Sequence, residues 1–326
     1  GRRKMDWLKH LTLAKIEFTI QATEPLHLPQ YKGSTFRGAF GAIFKNVVCI
    51  KDDKECGSCI LTKNCSYHYI FETPNSDKFP WFASPKLPHP YILEPPPETR
   101  ERFEPGEQLK FNLVLVGKAI DYLPYFIFVF DDMGRRGGLG KYRKDGFGRF
   151  GLVEVCDDLA AGRKLYDGHE KVLLQTPTIL TGEELLHAHE RPRGDRLILN
   201  FVTPTRIKHQ GEYILLKRNS SLKAETLLQN LYRRAFLMTF GHCHENSEPF
   251  RAPSFCDIQT EEMDLRWQDW KRYSNRQQRK HYFGGFVGSV ALKGVLSPWL
   301  PLLKAGQYLH AGSAASFGLG KFEVKW

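Results

Sequence analysis

The pattern of apolar and polar positions divides the chain into two runs of elements in the same order. Leu11 to Gln21 alternates and predicts a strand. Thr35 to Val48 sets Phe36, Phe40, Ile43, Phe44 and Val47 at helical spacing, with Ser34 as the expected N-cap. Gln108 to Gly117 alternates again, Ala119 to Met133 reads as a helix with a broad apolar side, and Phe150 to Cys156 as a closing strand. Thr73 to Pro105 is rich in proline and is expected to be an extended surface loop. Asp157 to Arg193 reads as a junction holding a short strand near Lys171 to Gln175. The second run gives a strand at Arg196 to Val202, a long helix at Leu222 to Phe240, a strand at Gly284 to Leu292, a short helix at Pro298 to Leu303 and a terminal strand. Each half thus predicts an antiparallel sheet covered by helices on one face. The expected fold class is α+β, as two tandem ferredoxin-like (RRM-like) domains with glycine-rich loops. The first domain is expected over 5–160 with a cysteine-rich insertion at 49–72, a junction over 161–190, and the second domain over 191–326.

The glycine loops change this picture from a fold to a candidate function. One runs from Gly137-Gly138-Leu139-Gly140-Lys141-Tyr142-Arg143 to Gly146-Phe147-Gly148-Arg149, and the other from Ala311-Gly312-Ser313 to Phe317-Gly318-Leu319-Gly320-Lys321. Each mixes glycine with aromatic or basic residues and ends in a strand. Glycine lets a backbone approach a phosphate or adopt positive φ. The alternative is that both are only tight turns.

Length and charge point the same way. The chain has 326 residues and a formal net charge of +11, enough for two cores of about 150 residues each. A basic chain favours a polyanionic partner, nucleic acid first and an acidic membrane second. No apolar run reaches the roughly 18 residues of a membrane helix, and no leader-like start is seen. Basic residues cluster at Arg135, Arg136, Lys141, Arg143, Lys144 and Arg149, and again at Lys271, Arg272, Arg276, Arg279 and Lys280. Both runs carry aromatics, which can stack on unpaired bases. Seven cysteines, an odd number, argue for a reducing, cytoplasmic location. Four of them, Cys49, Cys56, Cys59 and Cys65, suit a structural tetrahedral zinc. An iron–sulfur cluster is the alternative, and no metal at all the third reading. His68 could replace one thiolate.

Taken in order, several stretches resemble one family. They are Gly33-Ser34-Thr35-Phe36-Arg37-Gly38-Ala39-Phe40-Gly41, then Tyr69-Ile70-Phe71-Glu72-Thr73-Pro74, Leu123-Pro124-Tyr125-Phe126, and Phe201-Val202-Thr203-Pro204-Thr205-Arg206-Ile207-Lys208. Leu231-Tyr232-Arg233-Arg234, Arg272-Tyr273-Ser274-Asn275-Arg276-Gln277, Gly284-Gly285-Phe286-Val287-Gly288 and Phe317-Gly318-Leu319-Gly320-Lys321 follow. The ordered set resembles the CRISPR-associated RAMP-superfamily endoribonucleases that cut precursor CRISPR RNA within its repeats. The resemblance implies twin ferredoxin-like domains, CRISPR repeat RNA as partner, other CRISPR-associated proteins as further partners, and a product crRNA that stays bound. It also implies cleavage without a metal or other catalytic cofactor, by attack of the ribose 2′-OH on the adjacent phosphate, leaving a 2′,3′-cyclic phosphate.

Such chemistry needs a base, an acid for the leaving 5′-oxygen and cations for the phosphorane charge. Relatives often carry a histidine in the first helix, where this chain has Ala42, and a lysine in the terminal loop, where it has Ser313. The candidate catalytic residues are therefore His310, beside the terminal loop, His27, between the first strand and helix, and Lys45. Arg37, Arg143, Lys144, Arg149, Arg206, Lys208, Arg272 and Arg276 are candidates for RNA phosphates, with Gly318 and Gly320 lending backbone. The departures keep a second reading open, a non-cleaving RNA-binding subunit of a CRISPR effector or adaptation complex.

Overall fold

A computed structural model describes residues 2–188, 194–209, 212–214, 222–274, 279–282 and 284–325. The chain divides into two compact units. The first comprises Thr12–Leu180 and Gly241–Ser247; the second comprises Gly1–Leu11, Thr181–Phe240 and Glu248–Trp326.

In the first unit, β1 (Thr12–Ala22) and the short β2 (Leu26–His27) lead to α1 (Gly33–Val48). Then come β3 (Tyr91–Glu94), β4 (Arg102–Phe103), β5 (Gln108–Val116), α2 (Leu123–Asp132), β6 (Phe150–Asp157), β7 (Arg163–Asp167) and β8 (Val172–Leu173). The sheet order is β3-β5-β1-β6-β7-β8, with antiparallel neighbours throughout. Its first four strands with α1 and α2 make the ferredoxin-like βαββαβ arrangement. Phe36, Phe40 and Phe44 recur every fourth residue on α1 and are fully buried. The Phe40 ring lies 4.8 Å from that of Phe126 on α2, and Phe18 of β1 stacks on Phe111 of β5 at 5.1 Å.

Two helix boundaries correct the sequence expectation. Ser34 is not the N-cap of α1. The helix begins at Gly33 with Lys32 in the cap position and no side-chain cap bond, because the Lys32 carbonyl already accepts from Phe36 N at 3.0 Å. The helix expected from Ala119 starts as an α-helix only at Leu123, after a 3₁₀ stretch over Gly117–Tyr122. Pro124 explains this, since its missing N–H and its ring fit only the first turn. The stretch expected to be a loop over Thr73 to Pro105 also contains β3 and β4.

The short strand β9 (Leu180–Thr181) and α3 (Gly182–His187) follow along the chain. Thr181 and Glu184 form a reciprocal capping box at the start of α3. The second unit continues with β10 (Arg196–Thr205), β11 (Lys208–His209), β12 (Glu212–Tyr213), α4 (Ala224–His242) and β13 (Ile258–Gln268). It closes with β14 (Lys271–Ser274), β15 (Arg279–Tyr282), β16 (Gly285–Gly294), α5 (Leu300–Leu309) and β17 (Phe322–Lys325). Its main sheet runs β13-β16-β10-β17, again antiparallel, and repeats the ferredoxin-like order with α4 and α5 as crossovers. Phe201 packs edge-on to Phe286 at 5.0 Å and lies 5.7 Å from Phe322. The opening segment Arg2–His10 joins this unit through Trp7, whose indole N–H donates to the Tyr232 hydroxyl at 2.8 Å.

Candidate nucleic-acid interface

In the first unit the glycine loop after α2 is tied to β2. The Lys141 N–H donates to the His27 carbonyl at 3.0 Å, and the Leu139 N–H to the Gly148 carbonyl at 2.8 Å. Gly140 sits at φ +93°, and a Cβ there would lie 2.4 Å from the His27 carbonyl oxygen, so the close approach requires glycine. The His27 side chain keeps 27% of its surface exposed. Its Nε2 is 4.0 Å from the Glu101 carboxylate, and its ring lies 5.7 Å from that of Tyr142. The loop tip carries the exposed Lys141, Tyr142, Phe147 and Arg149.

The charges of this run are not equally available. Arg135 and Arg136 are bound one helical turn back to Asp131 and Asp132, with Arg135 Nη2 at 2.8 Å and Arg136 Nε at 2.6 Å. Arg149 lies 3.9 Å from Glu24. Arg143 opens a 3₁₀ turn over Arg143–Asp145 and is half-buried. The backbone of Lys144 belongs to the same turn, while its side chain lies outside the described residues.

Behind β2, Lys32 is fully buried. Its ammonium donates to the Glu98 carbonyl at 2.6 Å. Burial lowers its pKa; the nearby Glu98 and Glu101 work against that shift and Arg100 adds to it. Along α1, Arg37 stands 5.5 Å over the Phe71 ring, and Lys45 5.2 Å over that of Tyr67. Ala42 is exposed on the same helix.

In the second unit the terminal loop is a backbone knot. The Ala311 N–H donates to the Gly320 carbonyl at 2.8 Å, the Gly320 N–H to the Pro204 carbonyl at 3.0 Å and the Ser313 N–H to the Arg206 carbonyl at 2.9 Å. The Thr203 hydroxyl donates to the Gly318 carbonyl at 2.8 Å. Gly318 and Gly320 sit at φ +85° and +77°. Beside the loop, the Arg206 guanidinium lies 4.2 Å and the Lys208 ammonium 4.8 Å from the centre of the Tyr213 ring. The buried Arg206 Nε has no hydrogen-bond partner among the described residues, an orphan donor at the loop's edge. His310 is not at the surface. It is fully buried at the end of α5, at φ +61°, with Nδ1 donating to the Leu319 carbonyl at 3.0 Å. It acts as a strut inside the loop. Arg272 lies on β14, which pairs with β15, and its side chain is outside the described residues, as is Arg276 altogether.

The four clustered cysteines are unbridged and half-buried. Cys49, Cys59 and Cys65 line one cleft of about 400 Å³ with Val47, Ile50 and Tyr125, and Cys56 is not among its walls. Among the described residues no three His, Cys, Asp or Glu side chains gather as metal ligands. The thiols have the right chemistry for zinc but not a converged arrangement, so the structure does not carry the expected zinc site. Among the described residues no helix is long and apolar enough to cross a membrane.

Residues 11–178 match the family AF_1859_N, described as an N-terminal domain, and residues 199–322 match the family CRISPR-associated endoribonuclease Cas6. A protein of Archaeoglobus fulgidus, described only as uncharacterized, is 25% identical over 302 residues, covering 92% of this chain and 93% of that protein. Among solved structures, the Cas6 (TTHB231) product complex is similar with a TM-score of 0.56 at 15% identity, over 96% of this chain and 99% of the other. Thermus thermophilus Cas6 (TTHB231) gives 0.51 at 15% identity, over 96% and 98%. A partial Cas6-RT-Cas1--Cas2 complex gives 0.57 at 14% identity over 97% of this chain, which spans only 46% of that longer chain. At these identities the structural likenesses speak for the fold.

Twin ferredoxin-like sheets, each with a glycine loop tied beside its first strand, are the fold that the chain shares with the solved Cas6 structures. The AF_1859_N match covers just over half of the chain, which belongs to that family, and the Cas6 match covers residues 199–322 in the second unit.

Proposed function

We propose that the chain processes CRISPR precursor RNA, cutting within the repeat without a metal and keeping the crRNA product. The observation that carries this reading is the group of Arg206, Lys208 and Tyr213 beside the terminal loop. Two cations on one aromatic ring offer a phosphate its counter-charge and a base its stacking face.

For the chemistry, His27 is favoured over His310, because it reaches solvent while His310 is enclosed. In the proposed step, neutral His27 takes the proton of a ribose 2′-OH. The 2′-oxygen forms a bond to the adjacent phosphorus, and the bond to the 5′-oxygen breaks. That oxygen leaves with a proton from a protonated group or water, and a 2′,3′-cyclic phosphate remains. Glu101 near Nε2 stabilises the imidazolium that forms. Lys45 and Arg37, both on α1, are proposed as phosphate contacts, Lys45 with a share in stabilising the phosphorane. A non-cleaving RNA-binding role is the second reading, and the exposed Ala42 on α1 together with the enclosed His310 favours it.

Labelled repeat RNA incubated in EDTA separates the two. The first reading expects a single cut with a cyclic-phosphate end. His27→Ala should then slow cutting about 100-fold or more, in the usual range for losing a general base, with affinity nearly unchanged. Intact RNA held by the wild-type protein would establish the binding role instead.

A further inference from the structure

Arg37 belongs to a hydrogen-bond chain whose protons run in one direction only. Its Nη2 lies 3.3 Å from His89 Nε2. A guanidinium only donates, so Nε2 is the acceptor and His89 carries its proton on Nδ1. Nδ1 lies 2.8 Å from the Thr73 hydroxyl and donates to it. The hydroxyl proton then goes to the Tyr69 or Ile70 carbonyl, at 3.0 and 3.1 Å. The tautomer of His89 is therefore set by its two neighbours, and its lone pair is aimed at Arg37.

The backbone at both ends of this chain is held firmly. Thr73 ends the π-turn His68–Glu72 at φ +43° and ψ +59°, a left-handed conformation that is strained for a β-branched residue. Its amide donates to the His68 carbonyl at 2.8 Å, and its carbonyl accepts from Leu87 at 2.9 Å. His89 lies between Pro88 and Pro90, and the proline after it restricts its backbone to extended forms. His242 Nε2 donates to the Pro88 carbonyl at 2.8 Å. The His89 ring stacks on Tyr91, with centroids 5.9 Å apart, and Arg37 rides 5.5 Å over Phe71. A strained residue, a proline-flanked histidine and an aromatic floor thus converge on one half-buried arginine.

We infer that His89, seated by Thr73, is a positioning residue that presents the Arg37 guanidinium to an RNA phosphate. This rests on the RNA-binding part of the proposed function. The test measures binding of a fluorescein-labelled oligouridylate across a salt series. His89→Ala and Arg37→Ala should each weaken binding about tenfold and make the salt dependence shallower by about 0.7, the share of one phosphate contact on a single strand. The double variant should bind no worse than Arg37→Ala alone, because His89 acts only through Arg37. His89→Gln, whose amide oxygen reaches the place of Nε2, should restore most of the loss. Thr73→Val, which keeps the shape and removes the oxygen, should reproduce part of it and gives a second route if His89→Ala does not fold. If His89→Ala binds like the wild type, or its loss adds to that of Arg37→Ala, the inference is overturned while the proposed function stands. If the wild type binds neither oligouridylate nor repeat RNA, the RNA reading itself falls and the inference with it.

Discussion

The two glycine loops use one backbone device for opposite ends. Each donates an N–H to a carbonyl in the segment after the first strand of its own sheet, Lys141 to His27 in the first unit and Ser313 to Arg206 in the second. In the first loop the associated histidine, His27, points its ring to an exposed rim, and the loop carries its own rings and charges, with Tyr142 46% and Phe147 56% exposed. In the second loop the histidine is sealed inside, Phe317 and Leu319 are buried, and the cations come from the neighbouring Arg206 and Lys208. The same glycine-rich composition therefore makes a presenting tip in one unit and a closed clamp in the other. Composition fixes the backbone options of a loop, while the burial of its side chains decides whether it displays or braces.

The sharpest way to break that contrast is Gly320→Ala. The new Cβ would lie 1.8 Å from the Ala311 carbonyl oxygen, at a residue with φ +77°. Neither the strain nor the clash can be relieved by a side-chain rotation, because the neighbour is backbone. The substitution should cost about 3 kcal/mol or more of unfolding free energy, at the severe end for single changes, read from urea denaturation. A loss below 1 kcal/mol would mean the terminal loop is not a clamp.

The parts of this contrast that could be read in advance are those written in local pattern. Both loops, the alternation of β1, β5, β6, β10 and β16, and the phenylalanine stripe of α1 stand in the sequence. The second strand of each ferredoxin-like unit does not, and for opposite reasons. β3 is four buried residues, Tyr91 to Glu94, following the prolines at 88 and 90 and followed by those at 95–97; its apolar run is too short to outweigh the proline signal around it. β13 is long, but it lies at a sheet edge and is mostly exposed, so Thr260, Glu261, Glu262 and Asp264 hide it among polar residues. Edge position is set by tertiary pairing, which no local window contains. The site divides in the same way. Arg206 and Lys208 are legible as cations two residues apart, but the burial of His310 and the partnership of Arg37 with His89, 52 residues away, depend on packing. A cue for His89 does exist, in its two flanking prolines, which mark a histidine held rigidly.

The next largest effect concerns where each loop obtains its charge. Arg206→Ala removes the guanidinium from the Tyr213 ring and should weaken binding of repeat RNA about tenfold, or about 1.4 kcal/mol, with a shallower salt dependence. Arg136→Ala, beside the first loop, should change affinity by less than about twofold, because Asp132 already holds that guanidinium and such paired surface charges contribute little. Equal losses from both variants would mean that the two loops share one kind of interface and that the contrast is only one of burial.

The smallest effect is the counterpart of the first. Gly146, at the exposed tip of the first loop, also has positive φ, +86°, but a Cβ there would meet no atom within 4 Å. Gly146→Ala therefore pays only the left-handed backbone penalty, about 1 kcal/mol, and some of that can be relieved because the tip is open to solvent. Its amide bond to the Arg143 carbonyl, at 3.2 Å, is kept. Stability should fall by no more than about 1 kcal/mol on the same urea scale, while Tyr142 and Phe147 keep their exposed places. Set beside Gly320→Ala, one substitution at nearly the same φ then separates conformational strain, which the two positions share, from steric exclusion, which only the clamp has. A fall at Gly146 as large as that at Gly320 would assign the whole cost to φ and remove packing from the account of the terminal loop.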